Sequence, residues 1–433
     1  MVRPKIEYGC VLYSSAATTN LDILRVVQNR CLKIATGAFK TTNTKILEVE
    51  SGIYPLDHHF AKVMMVTAAS IASVENHPLT PIILQYNRYR DAKFKPFSTR
   101  AHIISQRYRI PLAMVQSFPP VDVERWEHCK GRIFLNMHLN RHSCPLQLLY
   151  ESRIIINGFP GMEHYYTDGS KKDDLAGSGI YSRKLECAHR LPNGYSVFDA
   201  ELYAIYSTVN FIIRDNISSV IFPDSKSALE AIKSGTSNHP LAMIICQRIL
   251  NSNIRICLVW IPAHIGIHGN EMADKWAKRS LQYNILTDSP ISPKTFKSIT
   301  IKCINDYWQQ RWTEYRCREK YRLTIERYVT ENRRVRREEI ALCRLRTKLT
   351  LINDILPYKN GRHPETCDHC RELLTRKHIL IDCLLYTQQR IQLKLHFERL
   401  RKAFTVYNIL QDDPVIIELL IKYLRETKLL DQI

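Results

Sequence analysis

The sequence predicts an α/β fold at the centre of the chain: a five-stranded mixed sheet flanked by helices, with mainly helical N- and C-terminal segments. Three observations carry that expectation. Between residues 160 and 284 short runs of β-branched and aromatic residues take turns with helical periods. Outside that stretch the spacing of apolar residues is largely helical. Within it, Tyr165-Tyr166-Thr167-Asp168-Gly169-Ser170 reads as a short strand that ends on a carboxylate and breaks into a Gly-Ser turn. Functional side chains often stand at such strand ends, although Asp-Gly between apolar runs is by itself a common hairpin signal.

Composition bounds the function. A chain of 433 residues is too long for one ordinary core and should divide into two to four units. Lys and Arg number 62 against 42 Asp and Glu, and the net +20 points to a polyanionic partner, nucleic acid first and an anionic membrane surface second. Uncharged runs such as Val63 to Val74 fall short of the roughly 18 to 20 residues that span a bilayer, and the N-terminus lacks a signal-peptide pattern. The expectation is a soluble intracellular protein with no membrane partner, its compartment (nucleus or cytoplasm) and oligomeric state left open. Thirteen cysteines, an odd count, should be mostly reduced, so a close cluster is a metal candidate before it is a disulfide.

In chain order, residues 1–78 read as helical, with Leu21, Leu24, Val27, Cys31 and Ile34 on one face of a helix capped by Asn20 and stopped near Gly37. A second helix should start near Thr44, and after a break at Gly52 to Leu56 a buried helix should run from Asp57 to Val74. Residues 79–155 read as a partly basic linker, in which Arg88-Tyr89-Arg90 and Lys93-Phe94-Lys95-Pro96-Phe97 alternate cations with aromatics. Residues 156–285 form the predicted α/β domain. After the Asp168 strand come strands around Gly177 to Tyr181 and Cys187 to Leu191, then a helix from about Asp199 to Arg214. A buried strand Ser219 to Phe222 ends at Asp224, two helices follow, and the strand Arg255 to Trp260 precedes a last helix from about Gly269. Residues 286–433 turn helical and basic.

This layout ends neighbouring strands on Asp168 and Asp224 and sets Glu201 and Asp274 in the first turns of two helices. Four carboxylates can therefore converge. Like charges are costly together unless divalent cations neutralise them, and hard oxygen ligands suit Mg²⁺ or Mn²⁺. Two such ions about 4 Å apart would activate a water and stabilise the leaving oxygen of a phosphodiester. The alternative scatters the four residues over an ordinary charged surface.

The local sequence around each carboxylate decides between these. Tyr166-Thr167-Asp168-Gly169-Ser170, Phe198-Asp199-Ala200-Glu201-Leu202, Asp224-Ser225-Lys226-Ser227-Ala228-Leu229 and the long run from Trp260-Ile261-Pro262-Ala263-His264 through Gly269-Asn270-Glu271-Met272-Ala273-Asp274 resemble type 1 ribonuclease H, in the family order. The last motif is the specific one. The resemblance covers about 125 residues, and its loops look like those of the ribonuclease H domains of non-LTR retrotransposon polyproteins rather than of cellular enzymes. It implies metal-dependent endonucleolytic cleavage of the RNA strand of an RNA–DNA hybrid. Asp168, Glu201, Asp224 and Asp274 would be metal ligands, and His264 on a mobile loop would assist proton transfer and product release. Two positions depart from the pattern: Asp199 stands where such elements often carry Gln, and Pro223 where Thr or Ser usually precedes the third Asp. They leave a second reading, a nucleic-acid-binding remnant without turnover. A third, a nuclease or recombinase acting on DNA, is opposed by the Trp260 to Asp274 motif.

The flanks fit the same context. Arg3-Pro4-Lys5-Ile6-Glu7-Tyr8-Gly9, Gln28-Asn29-Arg30-Cys31-Leu32 and Gly37-Ala38-Phe39 look like the helical region that follows the polymerase in those polyproteins, whereas no polymerase motif occurs. The chain thus resembles a fragment of a longer element. From Arg311 to Lys348 thirteen Lys or Arg accompany six Glu, with Trp308, Trp312, Tyr315, Tyr321 and Tyr328 interleaved, a pattern of helices that grip a backbone and offer stacking faces. An amphipathic helix pair with a solvated charged side is the alternative. Cys367, Cys370, His378 and Cys383, spaced C-x2-C-x7-H-x4-C, can complete a tetrahedral structural Zn²⁺ site, with His369 as a less favourable fourth ligand. Their position resembles the C-terminal cysteine motif of the polyproteins. A segment this small should have little core of its own and draw its folding free energy from the metal.

Overall fold

The computed structural model describes residues 2–84, 95–117, 121–135, 144–318, 335–348, 366–411 and 413–433. Arg88-Tyr89-Arg90, Lys93, Phe94, Tyr321 and Tyr328 lie outside them. The chain forms two compact units, one of Lys62–Cys303 and one of Met1–Ala61 with Ile304–Ile433.

The first unit holds the sheet. Its strands are β1 (Ile133–Phe134), β2 (Glu163–Lys172), β3 (Leu175–Tyr181), β4 (Glu186–Leu191), β5 (Ser219–Pro223) and β6 (Ile256–Val259), in the order β1-β6-β5-β2-β3-β4. β2, β3 and β4 form the expected antiparallel meander, and β5 and β6 add on in parallel. The sheet thus has six strands rather than five. The extra one, β1, pairs Ile133 with Leu258 in parallel; a strand of two residues has no readable period and leaves no local signal.

The stretch read as linker is built into this unit. It carries helices Phe97–Tyr108, Val123–Cys129 and Pro145–Asn157. Trp126 is fully buried, donates its indole N–H to the Lys233 carbonyl at 3.1 Å and fills the space beside Gly235. Leu149, Ile155 and Ile156 of the helix Pro145–Asn157 pack on Val220, Phe222, Val259 and Ile261 of the sheet. Helix Val197–Asp215 buries Leu202, Ile205, Val209 and Ile212, and helix Pro240–Leu250 buries Leu241, Ala242 and Ile245. Burying apolar area of this kind contributes about 25 cal/mol per Å².

A second correction concerns β2. It does not break at Gly169-Ser170 but runs on to Lys172, because β3 continues the antiparallel ladder to Lys172↔Leu175. What ends near Asp168 is its other neighbour, since the parallel pairing with β5 stops at Thr167↔Pro223. Asp168 and Asp224 each directly follow a member of that last pair.

In the second unit helix Thr18–Thr36 ends on Gly37 in the left-handed conformation, as the sequence predicts. Its buried face is Leu21, Gln28 and Leu32, however, while Val27 and Ile34 are exposed, and its N-cap is Ala17. Helix Thr44–Glu50 is capped by the Asn43 side chain. Trp308 and Trp312 are buried with Ile46 and Val49, and Tyr315 packs against them. The two indoles are core, so they offer no stacking face, and the half-buried Tyr315 ring is covered by Lys45 Nζ, 4.5 Å from its centroid. Among the described residues no helix is long and apolar enough to cross a membrane.

Candidate functional site

Four elements bring the predicted carboxylates together. Asp168 is supplied by β2, Asp224 by the residue after β5, Glu201 by the first turns of the helix Val197–Asp215 and Asp274 by the helix His268–Ser280. Glycines set the approach of both helices. A Cβ on Gly169 would stand 2.6 Å from the Glu201 amide nitrogen and 2.8 Å from its Cγ. On the neighbouring strand a Cβ at Gly179 would lie 2.1 Å from the Ala273 carbonyl oxygen and 2.3 Å from the Ala277 nitrogen, and one at Gly177 would collide with Ser280 Oγ. Gly269 in turn lies directly over the Tyr166 ring. Bare backbone on both partners therefore lets the Asp274 helix lie against β2 and β3.

The electrostatics record the crowding. Burial, then the charge of Asp224, lifts Asp168 to about 8; the Gly169 amide opposes this at 2.7 Å, and Asp274 adds to it through its charge and a carboxyl–carboxyl hydrogen bond. Glu201 is raised to about 6, mainly by burial, with the Ser225 hydroxyl as a donor pulling the other way and Asp224 adding to the rise. Asp224 is also raised by burial, against an Asn270 side-chain N–H at 3.2 Å and the nearby His264. Lys278 reaches Asp274 at 2.7 Å, one helical turn away, and its own pKa is raised by that carboxylate. These are hard oxygens whose charge is only partly offset by protein cations, a donor set that fits a divalent cation of the Mg²⁺ or Mn²⁺ class.

His264 is exposed in the loop between β6 and the helix His268–Ser280, with φ +56°. That left-handed backbone is uncommon for a residue with a side chain. Neither departure reaches this cluster as the sequence suggests. Asp199 is 1% exposed and turned inward: it closes a capping box with Ser196, accepts from Thr295 Oγ1 at 2.7 Å and meets His239 Nε2 at 2.9 Å. Burial alone would raise its pKa, yet His239, Ser196 and Thr295 together bring it below the ordinary value. Pro223 is the last residue of β5 and still accepts from the Ile261 N–H at 3.2 Å. Asp224 is anchored independently of it, since the Trp260 indole donates to its carbonyl at 2.9 Å and Asn270 to its carboxylate. Asn270, Ser225 and Trp260 lie inside the quoted motifs, but their partners were not readable there.

The sulfur cluster stands in the other unit. The ligand atoms of Cys367, Cys370, His378 and Cys383 all lie within 4.8 Å of one another, whereas His369 is not among them. Sγ of Cys383 is 3.8 Å from that of Cys367 and 3.9 Å from that of Cys370. His378 Nδ1 is held by Glu372 at 3.0 Å, leaving its buried Nε2 without a partner. The Cys370 amide, foremost, favours the Cys367 thiolate. Three thiols and an orphaned imidazole nitrogen fit a zinc ion. The expectation that the segment lacks a core is corrected. Ile379 and Leu380 sit in an apolar cluster with Leu393, Phe397, Ile417 and Leu420, and Arg390 donates to the carbonyls of Ile379, Ile381 and Cys383.

Against known families, residues 161–282 match the RNase H family model. The match begins two residues before β2 and ends two residues after the helix that carries Asp274.

Proposed function

We propose that the domain matched by the RNase H model hydrolyses the RNA strand of RNA–DNA hybrids endonucleolytically, with Asp168, Glu201, Asp224 and Asp274 holding two Mg²⁺ or Mn²⁺ ions. The observation that carries this reading is the crowding of carboxylates from four elements, three of them raised by burial. The bound cations would supply the charge that activates water and stabilises the leaving oxygen. The chain's own groups do the aiming. Ser225 orients Glu201, Asn270 and the Trp260 indole fix Asp224, and His264 at the loop moves the proton of the reaction and clears product. Preference for RNA comes from 2′-hydroxyl contacts in the minor groove and not from base sequence.

Turnover is favoured over an inactive remnant because the Asp199 carboxylate is occupied by Ser196, His239 and Thr295 instead of facing substrate. Zinc at Cys367, Cys370, His378 and Cys383 is structural, as four protein ligands fill a tetrahedron. The retrotransposon context rests on the resemblance of residues 1–75 and of the cysteine spacing. The test is cleavage of an end-labelled hybrid with Mg²⁺ or Mn²⁺. Internal cuts in the RNA strand that vanish with chelator and with Asp168→Asn support the reading, and cleavage undiminished in chelator overturns it.

A further inference from the structure

Beside the carboxylates lies a cleft of about 780 Å³, between the helix Pro145–Asn157 and the start of the helix His268–Ser280, that the proposed reaction does not use. Its volume falls within the roughly 300–1,000 Å³ of ordinary ligand sites. Arg153 and Arg183 are exposed at its edge, and neither has an ion pair or hydrogen bond among the described residues. The acidic residue of the lining is Glu163, and Lys184 already pairs with it at 3.4 Å. The cleft is therefore net cationic.

Its inner surface is aromatic. Tyr166 lies on Phe222 with ring centroids 5.3 Å apart, and a Cβ added at Gly269 would stand 2.2 Å from its ring. His268 meets Tyr181 edge-on at 5.7 Å, its Nε2 3.4 Å from the Tyr181 hydroxyl. His164 completes the lining. Unpaired guanidinium groups suit phosphate oxygens, and the rings of Tyr181 and His268, less covered than Tyr166, suit the face of a base or ribose.

Position selects the source of that phosphate. Tyr166 and Asp168 are two residues apart on the same face of β2, so the cleft opens about 7 Å from the carboxylate cluster at 3.3 Å per strand residue. A strand gripped at the carboxylates can reach it within about two nucleotide steps of 3.4 Å. We propose that this cleft is a second nucleic-acid subsite, holding one phosphate and its adjoining nucleoside of a strand that passes the carboxylates. The assignment rests on the hydrolytic reading for its direction but not for its measurement.

The test is strand binding by the full-length chain in chelator, where neither cleavage nor bound metal contributes. Fluorescence anisotropy with a labelled 12-nucleotide RNA would compare wild type, Arg153→Glu/Arg183→Glu and a control, Arg248→Glu/Arg255→Glu, with the same change of net charge on exposed residues of the same unit. We expect at least a ten-fold weaker Kd for the cleft variant, under about three-fold for the control, and a further five-fold or larger loss on adding Tyr181→Ala. Adenosine monophosphate should displace the strand only at millimolar concentration. Equal losses in the two charge variants, or no loss, overturn the subsite. Micromolar displacement by the mononucleotide overturns the assignment to a strand in favour of a free-nucleotide pocket. A chain that fails to cut hybrids yet shows the expected pattern sinks the hydrolytic reading and leaves the cleft standing.

Discussion

Under the proposed reaction, single carboxylates should set both cleavage and its pH response. Asp168→Asn or Asp224→Asn, each removing one charge proposed to hold metal, should abolish hybrid cleavage, while His264→Ala should slow it by about 10² to 10⁴-fold, as loss of a proton carrier does; cleavage rates for the three variants separate these outcomes. Asp168 at about 8 and Glu201 at about 6 both lie above unfolded values near 4. The native chain therefore binds these protons more tightly than the unfolded chain. Their contribution to stability is complete below about pH 4 and is lost as pH rises through 6 and 8. In chelator, Asp168→Asn, which carries no such charge, should melt several degrees above wild type at pH 8.5 and converge with it near pH 4. Calorimetry across that range checks the sign. Added Mg²⁺ should raise the wild-type melting temperature at pH 8.5 far more than that of the variant.

At the scale of elements, the helix His268–Ser280 is placed by what β3 lacks. Gly179→Ala would set a methyl 2.1 Å from the Ala273 carbonyl oxygen, one residue from Asp274. Overpacking typically costs about 1–3 kcal/mol, and here the obstacle is helix backbone, so stability should fall by about 3 kcal/mol and cleavage with it. Gly131→Ala, with nothing within 4 Å of the added Cβ, should leave both unchanged in denaturant titration and activity assay. For the cysteine segment, metal analysis should find one zinc per chain, lost in Cys367→Ser. Because Ile379 and Leu380 are anchored in an apolar cluster, the surrounding helices should keep their ellipticity while the segment 366–386 becomes protease-sensitive. Unaltered proteolysis of the zinc-free variant would count against a structural metal.

Over the whole molecule the positive charge is shared. Residues 62–303 carry 29 Lys and Arg against 19 Asp and Glu, and the other unit carries 33 against 23, so each holds half of the net +20. The sheet unit is thus as basic as its flanks. Hybrid affinity should fall steeply with salt through counterion release, and log Kd against log salt concentration should be linear. Replacing Arg399, Arg401 and Lys402 by Gln should lower the slope by no more than about 3 if those charges meet phosphate, and leave it unchanged if they are a solvated face. The slope from titrations at five salt concentrations reads this directly.

Features encoded within a few neighbouring residues were legible in the sequence. The alternation of strands and helices, the Gly37 stop, the helix start near Thr44 and the four acidic motifs in order are properties of a few neighbouring residues each. Tertiary structure decided the rest, because its causes lie far apart along the chain. Asp199 looked like a threat to Glu201 until Thr295 and His239, 96 and 40 residues away, turned it inward. Trp308 and Trp312 looked like stacking faces until Ile46 and Val49 covered them. β1 exists as a strand because β6, more than 120 residues later, gives it a partner. Periodicity reports which side of an element is apolar; which distant surface arrives to bury it is settled only when the chain packs.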